Sequence, residues 1–274
     1  MSGQVGLRGK AWFQALTAQN SPMNGDPGSV LTADARLGED TVRFLCVVPD
    51  PQARFPCARH GEVGLEEAFT LATRIREVIG QEAGGRKTPI VAIVDVKSQA
   101  YGRREGTAAI FLAAAAATDA YATARMNGHP VISLVVGQAI SGGFLTHGYQ
   151  ANRILAFDDP GVVIHAMHKE AAARITLRSV EELDRLGHEI LPMSYDIRDY
   201  AKLGLLHKLL HVENPDTPSH PTVAQVQHEL MAAIADARSG STDLRNRVES
   251  EGAREWRKAG RAARELMEVQ WALA

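Results

Sequence analysis

Length, composition and charge describe a chain that can fold around one sizeable core. The 274 residues are 45% hydrophobic and 23% charged, and the formal net charge is −2. This balance gives no reason to expect a nucleic acid or an anionic membrane as partner. The longest apolar run, Ala108 to Ala117, is too short to cross a bilayer, and two cysteines define no disulfide framework. We therefore expect a cytoplasmic protein.

The first third of the chain predicts a helix, a β-hairpin and a second helix. Two strand-like runs flank a turn that contains Gly38, which is typical of a hairpin. A later segment has apolar residues at helical spacing. The predicted segments are an amphipathic piece around Trp12 and a turn-rich stretch from Asn20, both within 1–28, strands over 30–36 and 41–48, and a helix over 65–79.

Two strand–loop–helix units follow. Residues 89–96 and 131–136 are nearly continuous apolar runs, as expected of parallel strands covered on both faces. The first run leads through a loop at 97–106 into an alanine-rich helix that ends near Asn127 and Gly128. This alternation implies parallel strands with right-handed crossovers. Both loops should open at the carboxyl edge of the sheet, where open α/β folds bind ligands.

The rest of the chain predicts short elements and then a charged helical region. Its composition changes beyond Pro215, so we divide the chain into an N-terminal segment over 1–28, a main domain over 29–214 and a helical C-terminal extension over 215–274. The further predicted elements are strands over 153–157 and 162–165, and helices over 167–176, 180–186, 223–237 and 244–273.

The most informative motif follows the second buried strand, where Ser141 precedes Gly142 and Gly143. Ser141 is predicted to cap a helix, which places the glycine N–H groups in the unpaired first turn. Those groups suit a small anion, and the missing side chains let a ligand reach the backbone. Thioester enolate chemistry requires such a pocket for developing negative charge. Alternatively, the glycines only allow close packing.

Motifs for phosphate, nucleophile or metal chemistry are not matched. A P-loop needs Lys and then Ser/Thr after its last glycine, where this chain has Gly143 and Phe144. A nucleophile elbow needs a glycine where Ala139 stands, so Ser141 is predicted to be a cap instead. We expect no metal, since neither of two histidine pairs has a third ligand, and there is no dinucleotide or biotin-attachment signature. The pairs are His165/His168 and His207/His211.

Two loop sequences carry a family resemblance. Residues 95–102 resemble an Asp-Thr-Pro-Gly-Ala-Tyr-Pro-Gly loop, and residues 137–145 resemble a Gly-x-x-x-Ser-Gly-Gly-Ala-Leu segment. Both belong to the acetyl-CoA carboxylase α-type carboxyltransferase subunit, a member of the crotonase superfamily. The resemblance covers about residues 30–211. It implies an α/β fold, with a crotonase-like (ββα spiral) carboxyltransferase-type domain and a helical C-terminal extension.

Departures from that pattern indicate a narrower family. Lys97 and Ser98 replace Thr-Pro, and Gln99 replaces a glycine. With the runs at 98–105 and 147–151, these residues resemble the γ subunits of biotin-independent malonate decarboxylases. The resemblance implies a decarboxylase core formed with a β-type subunit. It also implies a malonyl thioester substrate, carried on the phosphopantetheine-type group of an acyl-carrier subunit, and no biotin.

The resemblance and the chemistry together suggest roles for individual residues. We expect N–H groups of Gly142, Gly143 and Ala100, or a neighbour of Ala100, to form an oxyanion hole. Tyr101 and His165 are candidates for protonating the carbanion after CO₂ leaves, although water is an alternative donor.

Further residues are predicted to bind substrate. Gln99 is expected to contact the carboxylate or the thioester, or else only to stiffen its loop. The basic residues are expected to meet the phosphate of a phosphopantetheine arm or an acidic carrier, or else to be solvated charges. The remaining predicted substrate-binding residues are Ser98, Ile140, Ser141, Arg103, Arg104, Lys169 and Arg174.

Three other functions stay open at this point. A biotin-using carboxyltransferase subunit would share the oxyanion geometry. A stand-alone enoyl-CoA hydratase fits less well, because hydration needs paired acids and the loops offer only Glu105 and Glu170. The chain could also be a non-catalytic partner that completes a β-subunit site.

Overall fold

A single seven-stranded sheet forms the centre of the computed structural model, which describes residues 7–19, 21–81 and 85–272. Predictions at residues 1–6, Asn20 and Leu273 lie outside these ranges. The strands are β1 (Val30–Leu37), β2 (Asp40–Val47), β3 (Ile90–Val96), β4 (Val131–Ile140), β5 (Arg153–Phe157), β6 (Val163–His165) and β7 (Lys208–Leu210).

Helices surround the sheet and form the C-terminal region. Within the described ranges, no helix is long and apolar enough to cross a bilayer. The helices are α1 (Leu7–Thr17), α2 (Leu65–Gly80), α3 (Arg103–Thr107), α4 (Ile110–Met126), α5 (Ser141–Thr146), α6 (Lys169–Thr176), α7 (Val180–Glu189), α8 (Ile197–Lys202), α9 (His220–Ser239), α10 (Arg245–Val248), α11 (Glu251–Trp256) and α12 (Lys258–Ala272).

The sheet topology confirms the predicted hairpin and the parallel crossovers. Strands β1 and β2 pair antiparallel, and β2, β3, β4, β5 and β7 follow in parallel order, with β6 paired to the end of β4. Strands β3 and β5 are buried along their whole length, as their apolar sequences require. Helix α1 adds Trp12, whose ring meets Phe157 edge-on at 4.8 Å.

Strand β4 runs to Ile140, four residues further than predicted. Gly137 lies over the buried Asp95, and a Cβ on this glycine would come within 2.2 Å of a carboxylate oxygen. The same carboxylate accepts the N–H of Gln138 at 3.1 Å. The missing side chain and this bond let the strand pass the buried carboxylate and pair with β6. The predicted loop after Val136 is therefore wrong.

Two predicted segments also differ from the structure by more than a shift of their ends. Part of the predicted loop at 97–106 is the short helix α3, and the predicted helix over 244–273 is divided into α10, α11 and α12. Ser250 separates α10 from α11, because it caps α11 by accepting the N–H of Ala253 at 3.2 Å. Helix α12 buries no side chain, and its Trp271 is 85% exposed.

The C-terminal extension packs on the main domain through α9 and one arginine. Val226, Leu230 and Ile234 of α9 are buried in the same core as the sheet. Arg247, also buried, donates to the carbonyl oxygen of Tyr149 at 2.8 Å, just beyond α5. Desolvation lowers the pKa of Arg247 to about 10. The domain boundary at 215 stays a prediction.

Candidate active site

The loop that follows β3 is held against Val63 by two backbone hydrogen bonds. Val63 N–H donates to the carbonyl oxygen of Ser98 at 2.9 Å, and Ala100 N–H donates to the carbonyl oxygen of Val63 at 2.9 Å. Ala100 N–H is therefore paired with a backbone oxygen of Val63 in this structure, and its donation to a substrate oxygen stays a prediction. The neighbouring Gln99 offers another backbone N–H. Its backbone nitrogen lies 3.1 Å from the position that a Cβ on Gly143 would occupy.

Helix α5 begins differently from the prediction. Ile140, in extended conformation, occupies the cap position and makes no side-chain cap bond, so the prediction that Ser141 is the cap is wrong. Ser141 is the first helical residue, and its φ of +57° is unfavourable for a residue with a Cβ. Its hydroxyl oxygen lies 3.0 Å from that of Tyr101. This contact joins the β3 loop to the start of α5.

The two glycines differ in their surroundings. Gly142 N–H donates to the side-chain oxygen Oε1 of Gln99 at 2.7 Å. A Cβ on Gly143 would come within 2.5 Å of the carbonyl oxygen of Ser98, so this glycine is needed for the close approach of α5 to the loop. Both N–H groups belong to the first turn, where no intrahelical acceptor exists. The site therefore combines a backbone donor pair with close packing.

A cavity of about 410 Å³ brings His165 together with the start of α5. Ile140 is buried at the end of β4 and does not line this cavity. Tyr101 is 60% exposed and reaches Ser141 from the other loop. The cavity is lined by Ser141, Gly142, Phe144, His165, Ser194 and Tyr200, among others.

The imidazole of His165 is stacked on Tyr195, with ring centroids 3.8 Å apart. Desolvation lowers the pKa of His165, and the charge of Lys169 acts in the same direction, whereas a hydrogen bond to the backbone of Met167 raises it. Tyr195 donates to the carbonyl oxygen of Met167 at 2.9 Å, which holds the stack in place. Sequence reasoning missed Tyr195, because it lies 30 residues away in a segment without a recognisable motif.

The predicted basic residues fall into two groups. Lys169 forms an ion pair with Asp184, and its ammonium group lies 5.1 Å over the ring of Tyr195. Its charge is therefore partly neutralised by contacts within the chain. The others are exposed, make no ion pair with any described residue and do not line the cavity. These others are Arg103, Arg104 and Arg174.

A buried histidine, which the sequence analysis includes only in the run 147–151 and gives no role, holds α5 in place. His147 is fully buried, and its backbone N–H donates to the carbonyl oxygen of Gly143 at 3.0 Å. Its Nε2–H donates to the carbonyl oxygen of Ile93 at 3.0 Å, and its Nδ1 accepts the hydroxyl of Tyr121 at 3.0 Å. Desolvation lowers the pKa of His147 to about 4. The neutral ring thus ties α5 to β3 and α4.

The histidines considered as metal ligands have other contacts. His168 Nε2 lies 3.0 Å from the carbonyl oxygen of Lys97, and His207 lies 3.9 Å from Asp236. Across residues 7–19, 21–81 and 85–272, no group of three His, Cys, Asp or Glu side chains could hold a metal ion.

Known proteins resemble this chain along most of its length. The malonyl-S-ACP:biotin-protein carboxyltransferase MADD of Malonomonas rubra is 31% identical over 222 residues, covering 78% of this chain and 75% of that protein. A chain of a Pseudomonas malonate decarboxylase hetero-tetramer in complex with coenzyme A is 51% identical. It matches with a TM-score of 0.90, covering 96% of this chain and 99% of that one.

A more distant structure supports the fold. A chain of transcarboxylase 12S, 18% identical, matches with a TM-score of 0.58 over 78% of this chain and 36% of that one. This likeness confirms the predicted carboxyltransferase-type α/β fold. The family model described as malonate decarboxylase gamma subunit matches residues 58–271. The chain therefore belongs to the malonate decarboxylase gamma-subunit family.

Proposed function

We propose that this chain supplies an oxyanion hole for biotin-independent decarboxylation of a malonyl thioester. The observation that carries the proposal is the N–H of Gly142, which binds an amide carbonyl oxygen of Gln99 at 2.7 Å. A thioester enolate oxygen is an acceptor of the same shape with more negative charge, so the same N–H binds it more strongly. One such donor lowers the activation barrier by about 2.7–4 kcal/mol, which corresponds to a rate increase of roughly 10²–10³.

The reaction breaks one carbon–carbon bond. As CO₂ leaves, the bonding electron pair moves onto the thioester as an enolate, whose charge is concentrated on the oxygen that the hole binds. A proton then adds to carbon and gives the acetyl thioester. His165, which borders the cavity, and Tyr101, which contacts Ser141, are the candidate proton donors.

The proposal includes partners and excludes a bound cofactor. The Pseudomonas relative is a hetero-tetramer, and the name of the Malonomonas relative includes a malonyl group on an acyl carrier. We propose that this chain acts in the cytoplasm with a β-type subunit and an acyl-carrier subunit bearing a phosphopantetheine-type group. This chain itself would hold no biotin and no metal. The exposed Arg103, Arg104 and Arg174 are candidates to meet the phosphate of that arm or the carrier.

Co-purification followed by a CO₂ assay tests the function directly. The chain and its β-type partner are expected to form a complex that releases CO₂ from malonyl-CoA or malonyl-carrier without biotin or ATP, whereas either subunit alone is inactive. No complex, together with activity of this chain alone, would contradict the proposal and favour a stand-alone crotonase.

A biotin-using carboxyltransferase is the second candidate. It is favoured by the 31% identity to the Malonomonas protein, whose name states that it transfers a carboxyl group to a biotin protein. The same complex separates the two functions. An assembled complex that stays silent until a biotin protein is supplied would support this second candidate.

A double variant tests the proton donors. Tyr101→Phe with His165→Ala removes both candidate protonic groups, and we expect kcat to fall by about 10²-fold or more, which is the usual range for loss of general acid catalysis. The measurement is the rate of acetyl-thioester formation by the assembled complex. Each single variant is the control for the other. Unchanged turnover of the double variant would show that water supplies the proton.

A further inference from the structure

We infer that the side chain of Gln99 is an internal competitor for the oxyanion position, which an entering thioester must displace. This inference rests on the proposed function, because it gives a role to the contact made by the same Gly142 N–H. It replaces the expectation that Gln99 binds the substrate. Gln99 would then set how readily the thioester enters, without contacting the reacting atoms.

The carboxamide of Gln99 lies across Gly142. Its Oε1 accepts the Gly142 N–H at 2.7 Å. The Cβ position of Gly142 lies 2.8 Å from Oε1, 2.9 Å from Cδ and 3.3 Å from Nε2, so only a glycine leaves room for the whole amide group. The side chain therefore covers the first turn of α5 on the face where a backbone donor would meet a ligand.

The backbone at Gln99 is fixed, so only its side chain is free to move. Hydrogen bonds between Val63 and its partners Ser98 and Ala100 hold the chain on both sides of Gln99. The hydroxyl of Ser98 donates to the carbonyl oxygen of Gln99 at 2.7 Å. Ser98 and Ala100 are buried, whereas Gln99 is only partly buried. Displacement by a substrate therefore needs rotation of one side chain and no movement of the loop.

Two oxygen atoms cannot both lie within hydrogen-bonding distance of one N–H along the same direction. A thioester oxygen must therefore break the bond between Gln99 and Gly142 before it can form its own. An ordinary net hydrogen bond corresponds to about a two- to tenfold change in affinity. The cost applies equally to the bound substrate and to the transition state, so the effect falls on KM and on the Kd of a bound thioester, not on kcat.

Two Gln99 variants with opposite expected effects on KM distinguish a side chain that competes with the substrate from one that binds it. Gln99→Ala removes the competing oxygen and is expected to lower KM for malonyl-CoA about two- to tenfold in the assembled complex. Gln99→Glu places a charged acceptor on the same N–H and is expected to raise KM, because charge-assisted bonds are stronger. If Gln99 bound the substrate, Gln99→Ala would raise KM or lower kcat, and that result would overturn the inference.

Two measurements that do not depend on decarboxylation keep the inference separate from the proposed function. The first is the Kd of acetyl-CoA, a thioester without a carboxylate to lose, which should fall by the same factor in Gln99→Ala. The second is the amide proton resonance of Gly142 in the ¹⁵N-labelled full chain, which should move upfield when the acceptor is removed. An unmoved resonance, or weaker binding of acetyl-CoA, would refute the inference that Gln99 competes with the thioester. This holds whether or not the assembled subunits decarboxylate malonyl-CoA.

Gln225→Ala is the matched control. This glutamine on α9 also makes one side-chain hydrogen bond to the chain, through Nε2 to the carbonyl oxygen of His211 at 3.0 Å. Its replacement removes the same chemical group without touching the β3 loop or α5. We expect KM, the acetyl-CoA Kd and the Gly142 resonance to stay at their wild-type values in this variant. A change of equal size would attribute the Gln99 effects to general loosening and overturn the inference.

Discussion

Gly142→Ala is expected to lower kcat for malonyl-thioester decarboxylation by roughly 10²–10³, the usual effect of losing one oxyanion donor. The oxygen that now accepts the Gly142 N–H lies 2.8 Å from the position of the new Cβ. This is well inside van der Waals contact, so the methyl group excludes any acceptor oxygen from that place. The measurement is single-turnover CO₂ release by the assembled complex.

The atoms around Gly142 and Gly143 decide which variants are suitable for this experiment. The three atoms nearest the Cβ of Gly142→Ala all lie at the end of the flexible Gln99 side chain, so the chain should still fold, and a Gln99→Ala background gives the methyl group room. Gly143→Ala is a poorer probe, because its Cβ would meet the backbone oxygen of Ser98 at 2.5 Å and force α5 or the loop to shift. If Gly142→Ala lost activity only in proportion to lost assembly, the chain would be a non-catalytic partner.

Acidification from about pH 7.5 to pH 4 is expected to cost about 3 kcal/mol of unfolding free energy through His147 alone. The folded pKa of about 4 lies below the ordinary value of about 6.5, so the unfolded chain binds the proton more tightly. The stabilisation is complete above pH 6.5, decreases as the pH falls towards 4 and changes little below that. Urea unfolding at several pH values measures it.

His147→Gln is the control for this pH dependence. It keeps a neutral polar group beside Tyr121 and Ile93 but cannot be protonated in this range. Other histidines with lowered pKa values, such as His165 and His207, contribute to both proteins and cancel in the difference. Equal slopes for the wild type and the variant would contradict the assignment to His147.

Elements whose signals are local can be predicted from the amino-acid sequence. The hairpin at Gly38, the strands predicted over 89–96 and 131–136, and the helix predicted to end near Asn127 all agree with the structure within four residues. Spacing of apolar residues and turn residues carries these signals, because each depends on neighbours within one or two turns. The glycine pair after β4 was found in the same way. Its assignment to a family came from the loop sequences.

Contacts between distant segments could not be predicted from local sequence patterns. The bond from Ala100 to Val63 joins residues 37 apart, and that from Gly142 to Gln99 joins residues 43 apart. The first pairs the N–H of Ala100 with the backbone, and the second places the side chain of Gln99 against the N–H of Gly142.

Burial is a second property that local sequence patterns do not predict, and it changes both the backbone conformation and the charge of particular residues. The carboxylate of Asp95 beneath Gly137 extended β4 past its predicted end, and full burial made His147 a neutral support of α5. Desolvation and close approach depend on which segments surround a residue after folding. A local pattern contains no information on those neighbours, so the sequence predicts where the candidate site lies, whereas the partners of each group in it depend on the fold.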